Sequence, residues 1–140
     1  MALERDGGLV DFDVDAVLEA VSDAAGEDGF LVCVVYDDDS FSTVHVDERV
    51  DALYPDAETR EEHFARIHSY VHLDFTEREL FEDLFIDSGG ARAFVTYMGN
   101  VVAVRVLSGD QGAFLVLAPD VPVTDVVEAA ERAMGAGTDA

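Results

Sequence analysis

The chain has 140 residues, 49% of them hydrophobic, and carries 31 acidic residues against 8 basic ones, a formal net charge of -23. That is the size of one ordinary domain with enough apolar residues to fill a core, which excludes a disordered acidic tail. It also argues against nucleic acid and anionic membranes as partners, because both require a basic patch.

All eight basic residues are Arg (5, 49, 60, 66, 78, 92, 105 and 132), and there is no Lys. In dilute buffer so large a charge destabilises the compact state by self-repulsion. At about 1 M salt the Debye length falls to ~3 Å and the repulsion is largely screened. Carboxylates spread over every segment, on a normal core, predict a protein adapted to a salt-rich cytosol. The single cysteine, Cys33, lies inside the apolar run 30–35, so no intrachain disulfide is expected. The neighbouring Asp37 to Asp39 would raise a thiol pKa, so a small core side chain is expected there and not a nucleophile. There is no basic-then-apolar leader and no run approaching ~20 apolar residues, so the expected location is the cytoplasm and no spanning helix is expected.

Along the chain, one domain over 1–140 is expected, frayed at about 1–11 and 135–140. Residues 13–25 predict a helix, with Val14, Val17, Leu18 and Val21 on one face and Asp13 as cap. The continuous apolar run 30–36, rich in β-branched Val, predicts an inner strand covered on both faces. Asp37 to Ser40 turns the chain into a more exposed strand, 41–46, in which Phe41, Thr43 and His45 alternate against Ser42, Val44 and Val46. Residues 47–87 are expected to be helical. A short turn runs over 48–54 and stops at Pro55. A helix starting near Asp56 or Thr59, where Thr59-x-x-Glu62 fits a capping box, carries the stripe Phe64, Ile67, His68 and Val71. A second capping box, Thr76-x-x-Glu79, opens a helix with Leu80, Phe81, Leu84 and Phe85 on one face. Ser88-Gly89-Gly90 breaks it. Three strands are predicted at 91–98, 101–107 and 113–118, joined by a tight Gly99-Asn100 turn and a looser one over 108–112. Pro122 starts a last helix to about 134, with Val123, Val126, Val127, Ala130 and Met134 buried.

This order, helix-β-β-helices-β-β-β-helix, predicts an α+β fold with a single five-stranded antiparallel sheet packed with helices. It resembles the roadblock/longin/profilin-like group of small domains, with more helix between the second and third strands than the simple roadblock pattern has. The stretch Val35-Tyr-Asp-Asp-Asp-Ser-Phe-Ser-Thr-Val-His-Val-Asp-Glu-Arg-Val50 also resembles a group of small, acidic, uncharacterised haloarchaeal proteins, from which no functional residue carries over. The roadblock resemblance implies a homodimer that buries a helix face or extends the sheet across an edge, and a protein partner such as an NTPase.

Chemistry-bearing residues are few. His68 and His72 stand at i, i+4 and would share a helix face, the spacing for two ligands to a transition metal. His63 falls off that face, and a third ligand would have to come from Asp74 or His45. The HExxH pattern is absent. Asp37 to Asp39 lacks the spacing of a calcium loop and reads as a solvated turn. Gly89-Gly90 and Gly109 to Gly112 lack the strand and helix context of a phosphate loop. Arg92 and Arg105 fall in predicted strands, where a cross-strand ion pair is expected. No catalytic motif and no cofactor are expected. The expected function is a non-catalytic binding or regulatory module acting through protein contacts, with itself or another protein. The alternatives are a small-molecule sensor with a PAS-like pocket and, third, a metalloenzyme using His68 and His72.

Overall fold

A computed structural model of the chain describes residues 9–85 and 89–135, and the backbone alone of Val71, His72 and Asp74. Its elements are α1 (Val14–Ala25), β1 (Phe30–Asp37), β2 (Phe41–Val46), α2 (Glu48–Asp51), α3 (Ala57–His68), α4 (Val71–Leu84), β3 (Ala93–Tyr97), β4 (Val102–Ser108), β5 (Gln111–Leu117) and α5 (Val123–Ala133). The five strands form one sheet in the order β2-β1-β5-β4-β3, and every neighbouring pair is antiparallel. The α+β fold expected from the sequence is the fold observed.

The two terminal helices cover one face. The Asp13 carboxylate accepts the Ala16 N–H and starts α1, and Gly26, at a φ of 84°, ends it. Pro122 precedes the first turn of α5. The helices pack on each other and on the sheet. Val14, Val17 and Val21 of α1 and Val126 and Ala130 of α5 meet Cys33, Val35, Val104, Leu115 and Leu117. Leu115 and Leu117 are fully buried, and each contributes about 1.5–3 kcal/mol by leaving water. Val10 and Phe12 join this core. Residues 1–8 and 136–140 lie outside the described residues.

The opposite face is covered over β1 and β5 mainly by α3, with Val50 of α2 and Tyr54 beside it. Val32, Val34 and Phe64 are buried there, flanked by Phe41, Val46, Ile67, Phe114 and Val116. Here β2 departs from simple alternation. Cys33 pairs with His45 and Val34 with Thr43, so Val44 is an extra residue in a bulge. The bulge switches the phase of the strand. Val44 enters the first core, while Phe41 and Val46, five residues apart, share the second.

The middle helices differ most from expectation. The Asp56 carboxylate, not Thr59, caps α3 by accepting the Thr59 N–H at 2.7 Å. The helix ends at His68, and Ser69 and Tyr70 separate it from α4, so the expected stripe to Val71 is not on one continuous helix. Likewise α4 begins at Val71, which places Thr76 inside the helix and not at its cap. The last turn is tighter than expected. Ser108 pairs with Gln111, which leaves Gly109 (φ 62°) and Asp110 as a two-residue hairpin. The Gly99-Asn100 turn is as expected, closed by the Met98 N–H to the Val101 carbonyl.

Candidate functional site

The described polar candidates from the sequence hold the fold together. His68 donates from Nε2 to the Asp37 carbonyl at 2.9 Å, and its ring lies 5.4 Å from that of Phe41. A carbonyl only accepts, so Nε2 carries the proton. The contact ties the end of α3 to the end of β1. The His72 side chain lies outside the described residues. His45 donates to the Phe30 carbonyl and stacks on the Phe30 ring at 4.2 Å. The His63 Nδ1 lies 2.6 Å from the Tyr54 hydroxyl. Among the described residues no group of three His, Cys, Asp or Glu side chains is placed to hold a metal.

The acidic turn has a structural use. The Asp37 carboxylate accepts the N–H groups of Asp39 and Ser40 at 2.8 and 2.7 Å, an Asx turn that closes the β1–β2 hairpin. The hydrogen-bonded Arg49 guanidinium holds the Asp47 carboxyl down at about 2, and Arg49 also donates to the Asp28 carbonyl. Arg60 bridges Asp51 and Glu61, whose carboxylate accepts the Thr43 hydroxyl. These contacts bind α2 and α3 to the β2 side of the sheet. Burial pushes the Cys33 thiol up to about 12, which leaves it protonated and inert.

The two strand arginines part ways. Arg92 stands just before β3, and its ion partner is Glu131 of α5 at 3.3 Å, not an acid on a neighbouring strand. Arg105 faces its cross-strand neighbour Phe114, with the guanidinium 5.8 Å from the ring centroid. Arg105, Phe114, Tyr36, Phe64 and His68 line a cleft between α3 and the sheet. Aromatic rings with an Arg and a His are the lining expected of a sensor pocket. The cavity volume is about 30 Å³, room for two or three waters at ~10–15 Å³ each.

The largest unexplained feature is apolar. Among the described residues, the Phe81 ring of α4 lies 6.2 Å from Phe94 of β3, and the Glu82 carboxylate accepts the Ala91 N–H. Arg78 donates to the Gly109 carbonyl at 2.6 Å. The stripe predicted on one face of this helix stands largely in solvent. Leu84 is 61% exposed and Phe85 55%, with Leu73, Leu80 and Phe81 also exposed. Beside it β3 is an edge strand. It pairs with β4 from Ala93↔Val106 to Tyr97↔Val102 without a bulge, and no described strand pairs with its outer side. Tyr97 is 71% exposed, Met98 58%, and Val95 is exposed as well. Isolated exposed apolar residues need no explanation, but a helix face adjoining an open strand marks an interaction surface. The sequence signal for it was present in the spacing of Leu80, Phe81, Leu84 and Phe85. Spacing does not say whether a face meets its own sheet or another chain.

No protein-family model matches the chain, and no curated protein matches it either. Solved structures do. The gliding protein MglB from Thermus thermophilus superposes with a TM-score of 0.57 at 15% identity, over 91% of each chain. An MglB with a tetrameric arrangement gives 0.58 at 15% identity, over 91% of this chain and 90% of that one. MglC from Myxococcus xanthus is 19% identical over 98% and 96%, with a TM-score of 0.47. At 15% identity the MglB likeness establishes the fold, the roadblock/longin type of five-stranded antiparallel sheet with helices.

Proposed function

We propose that this chain is a non-catalytic assembly module of a salt-rich cytosol, which acts through protein contacts and pairs with a second copy through α4 and the β3 edge. The observation that carries this reading is the exposed apolar face of α4 lying beside an open, regular edge strand. An antiparallel edge is self-complementary. Two β3 strands can pair about a two-fold axis, and the same rotation brings two α4 faces together. One structural neighbour is an MglB with a tetrameric arrangement, which supports reading this fold as one that assembles.

The test is the oligomeric state of the intact chain, by sedimentation equilibrium and light scattering in about 2–3 M KCl, where screening is strong. A homodimer is expected. A monomer at high protein concentration overturns the reading. A small-molecule sensor is the lesser reading. Its cleft has the right lining but a volume of about 30 Å³, against the ~300–1,000 Å³ of ordinary ligand pockets.

A further inference from the structure

We infer that the pairing of two copies is switched by ionic strength, through the carboxylates that surround the apolar face of α4. This rests on the dimer reading above and adds its regulation.

The helix reads Val-His-Leu-Asp-Phe-Thr-Glu-Arg-Glu-Leu-Phe-Glu-Asp-Leu over residues 71–84. Its sequence sets one arginine, Arg78, against five acids, Asp74, Glu77, Glu79, Glu82 and Asp83. Glu77, Glu79, Glu82 and Asp83 are exposed, as are the apolar residues they interleave. Any contact that buries Leu80, Phe81, Leu84 and Phe85 against their copies therefore brings two strongly negative helices together. The chain as a whole carries a net charge of -23, so the surface beyond α4 adds to the repulsion. The apolar face favours the dimer at every salt concentration, and the repulsion opposes it only where the charges are unscreened.

The size of the switch follows from screening. At 0.1 M salt the Debye length is ~10 Å, and charges about that far apart keep roughly a third of their repulsion; at 1 M it is ~3 Å and they keep a few per cent. With a net charge of roughly -4 on each facing helix, the dissociation constant should fall about ten- to a hundredfold between those salts. The direction also identifies the partner. Salt strengthens the pairing of like-charged copies and weakens pairing with a basic protein.

The experiment is sedimentation equilibrium of the intact chain from about 0.1 to 3 M KCl, with far-UV circular dichroism at each step. It is repeated on a variant carrying Glu77→Gln, Glu79→Gln, Glu82→Gln and Asp83→Asn, in which the amide oxygen introduced at position 82 still accepts the Ala91 N–H. The wild-type constant should fall ten- to a hundredfold with salt, and the variant should dimerise tightly at low salt with a nearly flat dependence. The variant separates screening from the strengthening of apolar burial by salt. If the wild type unfolds in the most dilute buffer, the lowest salt that keeps it folded becomes the low arm, and the variant must dimerise more tightly than wild type there. A dimer whose constant ignores salt, or a variant with the wild-type slope, overturns the switch while leaving the dimer. A monomer at 3 M overturns both.

Discussion

Leu84 offers the sharpest test of where two copies meet. Its side chain is 61% exposed in the single chain, and full burial of a leucine is worth about 1.5–3 kcal/mol. Burying the exposed part in a dimer therefore contributes about 1–2 kcal/mol per protomer. A two-fold interface uses the residue twice, so Leu84→Ala should remove roughly 2–3 kcal/mol. At ~1.4 kcal/mol per decade this weakens dimerisation about 30- to 150-fold. Folding of the monomer should hardly change, because an exposed substitution usually stays within ~0.5 kcal/mol. Sedimentation equilibrium in concentrated KCl reads the first quantity, and thermal unfolding at a protein concentration that keeps both proteins monomeric reads the second. An unchanged dimer constant with unchanged stability would remove Leu84 from the interface and, with it, the placement of the interface on α4.

Three further predictions concern the fold. A Cβ on Gly112 would meet the Tyr36 ring and hydroxyl at 2.6 Å, so Gly112→Ala should destabilise by about 1–3 kcal/mol; an unaltered melting temperature would show that the ring moves aside freely. Cys33, with its pKa at about 12, is a thiolate in only about one chain in ten thousand at pH 8, so iodoacetamide should label the unfolded chain and spare the folded one; stoichiometric labelling of the folded protein contradicts its burial. The Asp47 carboxyl is lowered from 3.8 to about 2 by Arg49, so its stabilising effect is present above pH 4 and lost as pH falls from about 4 to 2; the stability gap between wild type and Asp47→Ala should narrow across that window, and a constant gap refutes the Arg49 contact as its source.

Much of the fold was legible because its strongest elements obey one period. Val14, Val17 and Val21 mark α1, the run Phe30 to Tyr36 marks an inner strand, and Gly99-Asn100 marks a hairpin. The failures have local causes. The break at Ser69 and Tyr70 carries neither Gly nor Pro, and the apolar stripe runs on across it to Val71, so the sequence places the boundary between the two helices a few residues late, at Thr76. The bulge at Val44 is invisible because Val46 suits either face of the sheet. The first strand-ending signal before Gly112 is Gly109, whose positive φ makes a two-residue turn and adds Gln111 and Gly112 to β5. Spacing also leaves the partners of the histidines invisible. His68 and His45 donate to the backbone carbonyls of Asp37 and Phe30, which are distant in sequence.

The two edges of the sheet explain why the proposed assembly would stop at a pair. A sheet with two open edges can add copies without limit, which is the route to fibres. Here β2, at one edge, is interrupted by the bulge at Val44 and flanked by the charged contacts of Thr43 with Glu61 and of Arg60 with Asp51 and Glu61. A bulge puts the hydrogen-bonding groups out of register for an incoming strand. At the other edge β3 keeps an unbroken ladder with β4 and displays Val95, Tyr97 and Met98. Pairing β3 with its own copy uses up that edge on both protomers and leaves only two blunted ones outside. The apolar face of α4, placed at the same edge by the Phe81–Phe94 contact, then adds burial that the five residues of β3 could not supply alone.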